Sequence, residues 1–134
     1  MTVKPLQFIK LRHAHTQETA EDYVEMILDL LEEEGEARVT EIAKRFGVSA
    51  VTAHKIILRL QKESLIDSKP YRALFLTPKG KKMATQSKKR HNIVYQFLKK
   101  LGIPDKTAKI DAEGIEHHVS PQTLKAFLKF IKRD

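Results

Sequence analysis

The segment from Val39 to Leu60 constrains the fold most, because two short amphipathic stretches meet there at a single glycine turn. Ile42, Ala43 and Phe46 form the apolar side of the first stretch, and Gly47-Val48 breaks it. Ser49 suits an N-cap, and Ala53, Ile56, Ile57 and Leu60 then recur at i, i+3, i+4 and i+7 as the apolar side of a second helix. This is a helix-turn-helix pattern. It turns Thr52, His54, Lys55 and Arg59 outward, with Ser49 beside them at the helix start. All are side chains of the kinds that hydrogen-bond to DNA. A glycine turn also joins ordinary helical hairpins, so the flanking sequence has to decide between the two.

Downstream, Leu65-Ile-Asp-Ser68 and Ala73-Leu-Phe-Leu-Thr77 read as two short strands joined through Lys69-Pro-Tyr-Arg72. Two helices and a hairpin in this order predict a winged helix. Its second helix is expected in the major groove, with Lys69 and Arg72 of the wing on phosphates or in the minor groove. The charge agrees: 25 Lys plus Arg against 17 Asp plus Glu leave +8, which favours a polyanionic partner. Acidic residues concentrate between Glu18 and Glu36 and basic ones between Lys79 and Lys100, which suggests separate working surfaces. The chain has no cysteine, so any metal must be held by oxygen and nitrogen. No apolar run is long enough to span a bilayer, and the expectation is a cytoplasmic protein without membrane or small-molecule partners.

Residues 1–17 show no clear period, and Pro5 is expected to interrupt any early helix, so they read as an N-terminal extension. His13 and His15 form a pair that is left outside the site. From Thr19 to Glu34 the stripe Tyr23, Val24, Ile27, Leu28, Leu30 and Leu31 predicts an amphipathic helix, stopped by Gly35. Asp22 and Glu25 share a face of it, either as two carboxylate ligands or as part of a solvated acidic face. Thr77-Pro78 starts a long helix whose later part aligns Ile93, Val94, Phe97, Leu98 and Leu101. Ser120-Pro121 starts a last helix carrying Leu124, Phe127, Leu128 and Ile131. Together these two stripes suit an internal core or a dimer interface. The expected architecture is mainly α: a winged helix-turn-helix domain over 18–78, then an all-helical subdomain over 79–134 for dimerisation and metal binding.

The stretch Asp111-Ala-Glu-Gly-Ile-Glu-His-His118 offers the chemistry of that second subdomain. If it is helical, Glu113, Glu116 and His117 share one face, which makes half of a metal site. His91, in Lys88-Lys-Arg-His91, lies near the apolar stripe of the long helix and can face inward as a ligand from a third segment. The alternative is an exposed histidine beside a basic run. Glu113-x-x-Glu116-His117 also superficially matches the H-x-x-E-H pattern of zinc hydrolases, but it lacks the first histidine. An enzyme is therefore not expected.

With these residues assembled, the chain resembles the diphtheria toxin repressor family from Glu18 to its end. The resemblance is carried by Glu21-Asp-Tyr-Val-Glu25, the helix-turn-helix with its wing, Arg90-His91 and Asp111 to His118. It implies that Asp22, Glu25, His91, Glu113, Glu116 and His117 jointly bind metal, with room for two Mn(II) ions per subunit. Iron-responsive members are similar but carry methionine and cysteine at the positions of Asp22 and Glu116. Carboxylates at both point to the manganese branch. Fe(II), Zn(II), Co(II) and Cd(II) are expected as ligands in vitro, since manganese is among the weakest binders of its series and selectivity must come from geometry. The implied function is a homodimeric, manganese-responsive repressor. Mn(II) would act as co-repressor, fixing two winged helices on a double-stranded DNA operator of manganese uptake genes. The alternative is a winged-helix regulator that responds to another metal such as Fe(II), or to none.

Overall fold

In a computed structural model the protein's backbone is described over residues 5–69 and 73–133, and its side chains from His15 onward within those ranges. The element order is α1 (Pro5–Glu34), α2 (Val39–Phe46), α3 (Ala50–Lys62), β1 (Ile66–Lys69), β2 (Ala73–Leu76), α4 (Pro78–Lys100), α5 (Asp105–Ile115) and α6 (Pro121–Ile131). Two compact units divide the chain. One spans Thr16–Thr85, and the other runs from Gln86 onward and includes the first turns of α1.

In the first unit the stripe read from the sequence becomes the core. Val24, Ile27 and Leu30 of α1 are fully buried together with Ile42 of α2 and Leu60 of α3, and Ile57 and Leu65 are nearly so. Each such side chain contributes about 1.5–3 kcal/mol relative to exposure. Tyr23 stacks on Phe46 with ring centroids 4.6 Å apart, which fixes α2 against α1. Helix α2 stops because Gly47 takes φ 68°. The Gly47 and Val48 amides can then donate to the carbonyls of Lys44 and Ala43, closing the helix end. Ser49 caps α3 by accepting from the Thr52 amide at 3.1 Å. The hairpin is antiparallel, with Ile66 opposite Leu76 and Lys69 opposite Ala73, and the Leu74 amide donates to the Ala37 carbonyl, tying the wing to the start of α2. Thr77 caps α4 by accepting from the Gly80 amide and donates its own hydroxyl to the Ser64 carbonyl, which joins the helix start to the base of the wing.

In the second unit Val94 is fully buried, and Phe97 stacks on Phe127 and meets Phe130 edge-on at 5.4 Å. After α4 the chain reverses at Gly102, with the Ile103 amide bonded to the Leu98 carbonyl. The Tyr95 hydroxyl bonds to Asp105, so α4 holds the first turn of α5. Ser120 caps α6, and Lys100 donates to the carbonyls of Phe130 and Ile131 at its other end, where a cation suits the helix dipole.

Two sequence expectations change. Helix α1 starts at Pro5 and not near Thr19. Proline blocks a helix only from within; at the first position its missing N–H has no partner to lose and its fixed φ is already helical. The segment Asp111–His118 is helical only to Ile115, with Glu116 as the C-cap and His117 in the following turn. Lys69 closes β1, whereas Pro70, Tyr71 and Arg72 lie outside the described residues.

Candidate metal centre

His91 sits on α4 just before Ile93 and Val94, whose burial orients that stretch of the helix. Glu113 stands on the last turn of α5. The fully buried Ala108 and Ala112 mark the packed side of this helix, and Glu113, next to Ala112, stands at its exposed edge. Glu116 keeps αR backbone angles, φ −56° and ψ −30°, and its amide still bonds to the Ala112 carbonyl. The helical path therefore continues far enough for Glu113 and Glu116 to converge although the helix proper has ended.

These three side chains meet, each offering a ligand atom within 4.8 Å of the others. His91 Nδ1 lies 3.3 Å from Glu113 Oε1 and 3.3 Å from Glu116 Oε2, and His117 Nε2 lies 3.4 Å from Glu116 Oε1. The Glu116 carboxylate has no exposure, and His117 is buried at 1 %, whereas Glu113 is 59 % exposed and forms the rim. Neither oxygen of Glu116 accepts a hydrogen bond. Burying a carboxylate without donors costs several kcal/mol on the order-of-magnitude scale of ion desolvation. A cation coordinated by Glu116 removes that cost, and carboxylate with imidazole is a donor set for a divalent metal of hard to intermediate character. The residues present therefore fit a bound metal.

Of the six ligands implied by the sequence, His91, Glu113, Glu116 and His117 lie together in the second unit. Asp22 and Glu25 stand half-buried on α1 in the first unit. His15 is exposed, and the His13 side chain lies outside the described residues.

Helix α3 also departs from its sequence outline. Thr52, His54 and Lys55 are exposed as expected, and Ile56 is only half-buried. Ser49 donates its hydroxyl to Thr52 Oγ1 while capping the helix. Arg59 turns back, with Nη2 bonded to the Thr16 carbonyl at 3.4 Å and Nε 3.8 Å from Glu63. Lys69 extends over the Phe75 ring at 4.9 Å. Val51 and Leu58 are exposed on α3, and the core periodicity gave no signal for them because they fall outside its phase. Among the described residues no helix is long and apolar enough to cross a membrane.

Comparison with known proteins agrees with both halves. Residues 15–74 match the family model described as iron dependent repressor, N-terminal DNA binding domain. Residues 77–134 match iron dependent repressor, metal binding and dimerisation domain. Transcriptional regulator MntR of Salmonella typhimurium is 48% identical over 126 residues, 94% of this chain and 80% of that protein. HTH-type transcriptional regulator MntR of Bacillus pumilus is 41% identical over 105 residues, 78% of this chain and 73% of that protein. Among solved structures, a manganese-dependent transcriptional repressor in complex with manganese has 30% identity and a TM-score of 0.76, covering 84% of this chain and 52% of that one. IdeR of T. acidophilum, at 24% identity and a TM-score of 0.76, covers 85% of this chain and 54% of its own and shares the fold. The chain thus spans about half the length of these solved chains. It belongs to the iron dependent repressor family of DNA-binding, metal-binding transcriptional regulators, and is not an enzyme.

Proposed function

We propose that this chain is a manganese-responsive repressor for which Mn(II) is the co-repressor. The observation that carries the reading is the Glu116 carboxylate, buried without a hydrogen-bond donor beside His91, Glu113 and His117. Oxygen and imidazole donors suit manganese, and the chain offers no thiolate to favour a softer ion. Similarity to proteins named MntR and to a manganese-bound repressor supports manganese over iron. When bound, the metal supplies positive charge that neutralises clustered carboxylates. Asp22 and Glu25 are assigned as the remaining ligands, which gives a set large enough for two ions per subunit.

Metal bound by this set would fix the two winged helices of a dimer for operator binding. Without metal the carboxylates repel, and more conformations must be ordered when DNA binds. Metal and operator should then strengthen each other reciprocally, by about 5- to 150-fold if the coupling is of ordinary size. A homodimer would present two α3 helices to two half-sites. Ser49, Thr52, His54, Lys55, Arg59, Lys69 and Arg72 are assigned to DNA contacts, with Ser49, Thr52 and Arg59 exchanging their contacts within the protein for DNA, and the regulated genes to manganese uptake.

The test is fluorescence anisotropy on a duplex selected from random-sequence DNA by the manganese-loaded protein, measured with Mn²⁺, with anaerobic Fe²⁺ and with EDTA. Manganese should tighten binding in the wild type more than iron does, and should have no effect in Glu116→Ala. Equal wild-type affinity with Mn²⁺ and with EDTA would refute the reading.

A further inference from the structure

Helix α1 begins at Pro5, ten residues before the first of the two matched family domains, which cover 15–74 and 77–134. This extension does not belong to the winged helix. Up to His15 it falls in the same compact unit as the chain from Gln86 onward, the unit that carries the match to a metal binding and dimerisation domain. An extension rich in apolar residues keeps its helical form mainly through packing, so the question is what it packs on.

The sequence places apolar positions on two sides of the extension. With about 100° between successive residues of a helix, Leu6, Ile9 and His13 fall on one side and Phe8, Leu11 and His15 on the other. A helix with one apolar side needs one surface to cover it, and a helix with two needs two. Its own unit supplies the first. The second side ends, one turn after Leu11, at His15, which is exposed in the single chain. The same unit also leaves apolar surface uncovered elsewhere, with Ile110 64% and Leu101 53% exposed. A second copy of this chain is the occupant that fits, because the extension is continuous with a unit already matched to dimerisation and a two-fold partner covers both copies at once.

We propose that residues 5–15 form a dimerisation arm, the side bearing positions 8 and 11 packing on the second copy and the side bearing positions 6 and 9 on the arm's own unit. The arm adds an interface that lies outside both matched family domains, and it makes the dimer tighter than those domains would be by themselves.

The experiment is sedimentation equilibrium of the full chain over a dilution series in EDTA, so that neither metal nor DNA enters the readout. Alanine truncates a side chain while favouring the helix. Phe8→Ala combined with Leu11→Ala should raise the dimer dissociation constant by at least about tenfold. In the wild type, amide hydrogen exchange over residues 5–15 should slow as protein concentration rises through that constant, and in the double variant it should stay fast over the same range. An unchanged dissociation constant in the double variant would overturn the proposal. So would wild-type exchange over 5–15 that is independent of concentration, which would make the segment an internal strap, or a wild type that stays monomeric throughout.

Discussion

Glu116 Oε2 lies 3.3 Å from His91 Nδ1, and the two side chains come from different helices, one from the C-cap of α5 and one from the interior of α4. The carboxylate is fully buried and accepts no hydrogen bond, so a cation coordinated there would offset its desolvation. On the proposed ligand set, metal binding and the stability of the second unit would be linked through this residue.

Glu116→Gln keeps the side-chain volume and removes the charge. Wild-type protein should gain about 2.7 kcal/mol of stability at Mn²⁺ a hundredfold above its Kd. The variant should gain far less at the same concentration. Urea unfolding monitored by circular dichroism, with Mn²⁺ and with EDTA, gives both numbers. An equal gain in the two proteins would remove Glu116 from the ligand set.

Gly80 lies on the first turn of α4, where it meets Leu65 at the base of the wing, just before β1. A Cβ there would fall 2.0 Å from the Leu65 carbonyl oxygen, a backbone atom that cannot swing away. Gly80→Ala should lower stability by about 1–3 kcal/mol through overpacking, despite alanine's better helix propensity. Chemical denaturation is the measurement, and a stabilised variant would show that α4 is free to shift off the wing.

Ser49 has two roles that substitution can separate. Ser49→Ala removes the N-cap of α3 and should cost about 1 kcal/mol, whereas Ser49→Asp retains an acceptor for the Thr52 amide and should hold stability. If Ser49 also approaches phosphate, the aspartate variant should bind DNA more weakly than the alanine variant, because its charge opposes the backbone. Thermal unfolding and anisotropy report the two effects independently.

Asp105 provides a pH-dependent contact. The hydrogen bond from Tyr95, reinforced by Lys109 and Lys99, holds its carboxyl below the usual carboxylate range. A folded-state value below the unfolded one means that the stabilisation is present above the ordinary carboxylate range and is lost as pH falls through the folded value. Tyr95→Phe should move the Asp105 titration, followed by carboxyl-carbon NMR, up towards its ordinary position. An unmoved titration would assign the effect to the lysines.

The elements themselves were legible because they depend on neighbours in sequence. The apolar period of α1 from Thr19, the Gly47 turn, the Ser49 and Ser120 caps and the hairpin strands each follow from local backbone and solvent preferences. The exception is Pro5, whose effect depends on whether it lies inside a helix or begins one.

The residue types for a metal site were also present in the sequence, since a carboxylate pair at three-residue spacing with an adjacent histidine states its chemistry without a fold. What only tertiary structure decided was their condition. Spacing could not show that Glu116 loses all contact with water while Glu113 remains at the rim, because burial depends on elements distant in the chain. Nor could it show that Ser49, Thr52 and Arg59 are turned to partners within the protein while Val51 is left facing outward. Chemical capacity is a local property of side chains, whereas desolvation and availability arise when separate segments pack together.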